Sequence, residues 1–81
     1  MDASEVGINV IGWVGTGLLL GAYALLTTGR LAAGRRFQLM NLVGGVFLLA
    51  NTAYYGAWPS AGLNLVWVII GTLGLLRPAS R

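Results

Sequence analysis

Cysteine, histidine and lysine are absent from this 81-residue chain, and its only acidic side chains are Asp2 and Glu5. Without Cys or His, the chain holds no disulfide, no thiol nucleophile, no histidine haem ligand and no zinc site of the usual composition. With both carboxylates in the N-terminal tail, general acid–base and nucleophilic catalysis lack their parts. The chain is therefore read as no enzyme and as needing no cofactor. Charge of either sign is scarce: 9% of residues are charged and 57% are apolar, whereas a soluble surface needs roughly a quarter charged. The net charge of +3 comes from five arginines in two places. No basic face with interleaved aromatics accompanies them, which argues against nucleic acid as a partner.

What is present is two long uncharged stretches, 6–29 and 37–76. Eighty-one residues make one domain at most. The reading is an all-α membrane protein of three transmembrane helices, with the lipid bilayer as its first partner. After an acidic tail at 1–5, the first span runs from Val6 to Thr28, about 34 Å of helix and enough to cross a hydrocarbon core. The acidic N-terminus lacks the features of a cleaved signal peptide, so this span is expected to act as its own insertion signal. A basic loop comes next at 29–36, GRLAAGRR. The second span runs from Phe37 to Trp58 and is expected to end at Pro59, with Pro59–Ser60 as a tight connection and Ser60 as the next helix cap. The third span, 61–76, reaches only about 24 Å. It is expected to begin near Pro59, to lie close to the bundle axis, and to be closed by Arg77 and Pro78 in a tail at 77–81.

Charge gives the orientation. Three spans put the 29–36 loop and the C-terminus on one side, where Arg30, Arg35, Arg36 and Arg77 serve as topology determinants and lipid-headgroup contacts. The positive-inside rule then gives N-terminus out and C-terminus in. The absence of lysine beside abundant Gly, Ala and Arg suits a high-GC bacterial genome, hence the bacterial inner membrane as location.

Helical periodicity groups the polar residues. Asn9, Gly12, Thr16, Tyr23 and Thr27 share one face of the first span. Asn41, Gly44, Leu48, Asn51 and Tyr55 share one of the second, and Asn64, Trp67, Gly71 and Gly74 one of the third. If the three stripes converge they build a polar interior. Asn9, Thr16, Asn51, Tyr55, Asn64 and Trp67 are then the candidate solute-binding residues. The alternative is that these groups are only hydrogen-bonding glue between helices. Gly17 and Gly21 form a GxxxG pair facing away from the polar stripe, suited to another helix or a second copy, and Gly44 and Gly45 permit close packing of the second span. Tyr54 and Trp58 suit an interfacial aromatic belt.

Tyr55-Gly56, Pro59 and Asn64 occur in the order and approximate spacing of the second outer turn in the SWEET and SemiSWEET sugar transporters of the PQ-loop superfamily, whose three-helix unit this layout resembles. That resemblance implies the same N-out, C-in topology and carries Asn64 over as a substrate-site asparagine, with Trp67 as its neighbour. The family's Pro-Gln pair has no counterpart here, where the first helix reads Ala22-Tyr23-Ala24-Leu25-Leu26. Gly12-Trp13, Ala22-Tyr23-Ala24-Leu25, Gln38 to Gly44 and Trp58 to Trp67 also resemble an uncharacterised family of short bacterial three-span membrane proteins labelled as permeases. Two functions are then expected. One is a minimal permease for a small polar solute, acting as a homodimer because one three-helix unit is too small to enclose a path. The other is an accessory or structural subunit packed against a larger membrane complex, with no pathway of its own.

Overall fold

The computed structural model describes residues 2–77, and these form three helices: α1, Ala3–Thr27; α2, Arg35–Tyr54; and α3, Trp58–Leu76. They run up, down and up in a bundle measuring 48 × 22 × 18 Å. Arg81 and the expected Pro78 stop lie outside the described residues.

α1 starts earlier than the apolar run because the two acidic residues build its cap. The Glu5 N–H donates to Asp2 Oδ1 at 2.9 Å and the Asp2 N–H donates to Glu5 Oε1 at 3.2 Å, a reciprocal capping box. Both connections are then made by one device. Gly29 (φ 76°) and Gly56 (φ 69°) take the left-handed conformation that glycine adopts without penalty. The Gly29 N–H donates to Leu26 O and the Arg30 N–H to Leu25 O; likewise the Gly56 N–H donates to Ala53 O and the Ala57 N–H to Thr52 O. These are two Schellman motifs, each satisfying carbonyls that a helix end leaves open.

The second of them moves a boundary. Gly56, not Pro59, ends α2, and the link to α3 is Tyr55–Ala57, not Pro59–Ser60. Pro59 stands in the first turn of α3, where its missing N–H costs nothing. Ser60 is inside the helix; the cap position is Ala57, which offers no side-chain bond. α3 therefore has 19 residues and a length of about 28 Å.

The bundle axis also belongs to a different helix than expected. α1 and α3 each pack on α2, and among the described residues no Cα of α1 lies within 8 Å of a Cα of α3. The central helix is α2; α3 lies at the periphery. Gly44 and Gly45 explain how α2 takes two neighbours. Consecutive helical residues point about 100° apart, so Gly44 meets Gly15 and Leu19 of α1 while Gly45 meets Val68 and Trp67 of α3. α1 and α3 touch through side chains, the Tyr23 ring standing edge-on to Trp67 at 6.1 Å.

Two helices, α1 and α3, are long and apolar enough to cross a membrane, with mean hydropathy of 1.7 and 1.6 over their best stretches. α2, which carries Gln38, Asn41, Asn51 and Thr52, does not reach that measure.

Candidate functional site

The polar stripes do not meet at one point. They pair two by two, because α2 stands between the other helices, and they form two separate seams.

On the α1–α2 seam the backbones approach closely. The oxygen of Gly44 would lie 2.9 Å from a Cβ placed on Gly15, and the oxygen of Gly15 would lie 3.0 Å from one on Gly44. Gly12 leaves room for Asn51, whose Nδ2 donates to the Ile8 carbonyl at 2.9 Å. The Tyr55 hydroxyl donates to Asn9 Oδ1 at 2.7 Å, one turn further along. Thr16 turns back on its own helix and donates to the Gly12 carbonyl at 2.9 Å. Asn9, Gly12, Trp13, Thr16, Leu48 and Asn51 line an open hollow of about 210 Å³ beside this seam.

The α2–α3 seam is filled by side chains. Trp67 Nε1 donates to Asn41 Oδ1 at 3.3 Å, and Asn41, 4% exposed, donates through Nδ2 to the Phe37 carbonyl at 3.0 Å. Asn64 Nδ2 donates to Thr52 Oγ1 at 3.3 Å, and Thr52 in turn donates to Leu48 O at 2.7 Å. Gly71 lies against Leu42, and Gly74 against the amide of Gln38. Tyr23, Phe37, Gln38, Asn41, Trp67, Ile70 and Gly71 surround a second hollow of about 180 Å³, in whose lining the Tyr23 and Phe37 rings meet edge-on at 5.4 Å.

The six candidate solute residues are thus divided. Asn9, Thr16, Asn51 and Tyr55 gather on the first seam, and Asn64 and Trp67 stand on the second. Each donates or accepts a hydrogen bond within the chain, and among the described residues no buried side-chain nitrogen or oxygen lacks a partner. Sequence reasoning left Asn41, Thr52 and Gln38 out of the candidate set. The signal for the first two was the neighbour pair Asn51-Thr52 and the buried stripe position of Asn41; α2 is polar on two faces, as a helix with two polar neighbours must be.

Of the four packing glycines, Gly44 and Gly45 lie within the two seams, and nothing approaches within 4 Å of a Cβ built on Gly17 or Gly21. Arg30, Arg35, Arg36 and Arg77 are all exposed and lie at one end of the bundle, where α1 ends, α2 begins and α3 ends. Asp2 and Glu5 lie at the other.

No curated protein and no solved structure matches the chain. A family model matches residues 8–81, and nothing in that match links the chain to PQ-loop transporters or to permeases. With all but its first seven residues covered, the chain belongs to that family, an uncharacterised one.

Proposed function

We propose that the chain is a multi-pass protein of the bacterial inner membrane, crossing three times with its N-terminus outside and its C-terminus in the cytoplasm, and that it serves as a packing subunit of a larger membrane complex. The observation that carries this reading is the inside-out distribution of side chains. Only 17% of the apolar stretch of α1, and 17% of that of α3, is buried within the chain; the core helix of a soluble protein buries most of its length. Val10, Val14, Leu20, Ile69 and Ile70 are at least 45% exposed, while the asparagine amides lie between helices and bond to backbone carbonyls and to Tyr55, Thr52 and Trp67. Lipid favours that order, since outward faces need only be apolar and polar groups must pair internally.

α2 fits as the third span despite its lower hydropathy. Its 20 residues give about 30 Å of helix, and its polar groups aim at α1 and α3. The segregation of arginines and carboxylates to opposite ends supports the orientation by the positive-inside rule. The subunit role rests on the amides being committed. A solute that accepts from Asn51 or Asn64 Nδ2, Tyr55 Oη or Trp67 Nε1, or donates to Asn9 Oδ1, would have to displace the bond that atom already makes. The outer face of α1, with Gly17 and Gly21 open, remains available to another helix.

A second reading, the homodimeric permease for a small polar solute, is favoured by one feature. The hollow beside the α1–α2 seam carries Asn9, Thr16 and Asn51 and is open on the side, where a second copy would enclose it. The deciding experiment is the mass and composition of the complex extracted from native membranes in mild detergent. A stoichiometric larger partner supports the subunit. A pure homodimer whose solute flux in reconstituted vesicles is lost in Asn51→Ala overturns it in favour of the permease. Recovery in the soluble fraction without detergent overturns both.

A further inference from the structure

A third hollow, larger than the two beside the seams, lies on neither polar stripe. It sits between the start of α2 and the end of α3, has a volume of about 570 Å³, and is lined by Arg35, Arg36, Leu39, Leu75 and Leu76. Volumes of this size are typical of ligand pockets. Two arginines and three leucines line it, so the hollow is itself amphipathic.

The electrostatics of that end are one-sided. Arg30 and Arg77 lie at the same end of the bundle, and both acidic side chains of the chain are tied up in the capping box at the opposite end. Among the described residues no side-chain carboxylate lies at that end to pair with the four arginines. Gly34 gives the first turn of α2 no side-chain cap, so the amides there also point their positive end toward that end. Guanidinium groups recognise phosphate through paired N–H donors.

We infer that this hollow is a binding site for an anionic phospholipid, its phosphate held by Arg35 and Arg36 and the upper part of an acyl chain laid along Leu39, Leu75 and Leu76. The charge complementarity selects the headgroup, and the leucine wall selects an amphiphile over a soluble phosphate ester. Basic hollows between helices on the cytoplasmic side suit such headgroups. The inference rests on the proposed membrane placement, and its test separates the two.

The purified full chain in mild detergent is titrated with phosphatidylglycerol and, separately, phosphatidylcholine, and the bound lipid is counted by native mass spectrometry. Phosphatidylglycerol is expected to be retained preferentially. Replacing both lining arginines, Arg35→Gln with Arg36→Gln, should weaken it by about ten- to thirty-fold, whereas Arg30→Gln, at the same end but outside the hollow, should weaken it by less than about three-fold. Leu39→Trp, which fills the hollow without changing charge, should also lose the preference. Equal retention of both lipids, or an equal loss in Arg30→Gln, overturns the site and leaves only a diffuse basic end. Displacement by millimolar inorganic phosphate overturns the lipid in favour of a soluble anion. A chain that stays in solution without detergent fails the membrane reading itself, and this inference with it.

Discussion

The two seams of the bundle join the same central helix by opposite means. Where α1 meets α2, the contact is backbone on backbone: Gly15 against Gly44, with Asn51 reaching the Ile8 carbonyl over Gly12. Where α3 meets α2, side chains reach into glycine notches, the Gln38 amide at Gly74 and Val68 and Trp67 at Gly45, while Gly71 lies on the Leu42 backbone at an ordinary 3.4 Å. The lesson is that glycine content alone does not measure sensitivity. A methyl that meets a carbonyl oxygen forces a helix to move, but one that meets the far end of a long side chain needs only a change of rotamer.

The sharpest test of that difference is a matched pair. Gly15→Ala should destabilise by about 1–3 kcal/mol through overpacking, because its Cβ would lie 2.9 Å from Gly44 O and 3.0 Å from Phe47 Cβ. Gly74→Ala, whose Cβ would meet only the far end of Gln38 at 2.7–2.9 Å, is relieved by a change of the Gln38 rotamer and should change stability by less than about 0.5 kcal/mol. Denaturant midpoints of the detergent-solubilised protein, followed by circular dichroism, read both. Equal losses would break the comparison.

Next in size are the amides. Asn51→Ala should cost about 0.6–2 kcal/mol by removing its bond to Ile8, and it creates space. A Cβ on Gly12 meets Asn51 Nδ2 at 2.5 Å and Cγ at 2.8 Å, but Cβ only at 3.3 Å. Gly12→Ala should therefore be damaging in the native chain and nearly neutral beside Asn51→Ala, a coupling that a double-mutant cycle measures. On the other seam, Trp67→Phe removes the 3.3 Å bond to Asn41, whose amide nitrogen keeps Phe37 O, and trims the ring that packs on Tyr23 and Gly45. A loss of about 0.5–1 kcal/mol is expected by the same titration.

The smallest effect belongs to the face that joins neither seam. Gly17→Ala and Gly21→Ala have open space and should leave the stability of the single chain within about 0.5 kcal/mol of its original value. If the outer face of α1 carries a partner, bulkier substitutions there should reduce the mass of the native complex while that stability holds. A change in single-chain stability instead would place those glycines in a contact this bundle does not contain.

Three helices were legible in the sequence, because the 3.6-residue period and the uncharged runs are local signals, but the second stripe splits: Asn41 meets Trp67 of α3 while Gly44, Asn51 and Tyr55 meet α1. The pairing of the stripes was not legible. Periodicity says which residues of one helix share a face, but not which neighbour the face meets. The short 61–76 run suggests a shielded third helix, yet the helix at the centre is the least apolar of the three. Its doublets Gly44-Gly45 and Asn51-Thr52 are the clue, since each supplies one residue to either side. The turn before α3 misleads for a similar reason. Pro59 is the louder punctuation mark, but Gly56 makes the stop, and proline is at home in the first turn of the succeeding helix.

The way α2 separates the other two helices has a temporal consequence. Every extensive contact joins an element to its neighbour in sequence, so the topology has low contact order and no long closure to wait for. The first hairpin, with its glycine contact and its Asn51–Ile8 bond, needs no residue beyond Tyr55. The last helix then docks on a finished template, guided mainly by Trp67, Asn64 and their two acceptors. An α3 delayed at that moment leaves its docking face on α2 open to the α3 of another chain, so exchange of the last helix between copies is the misassembly this architecture is most exposed to.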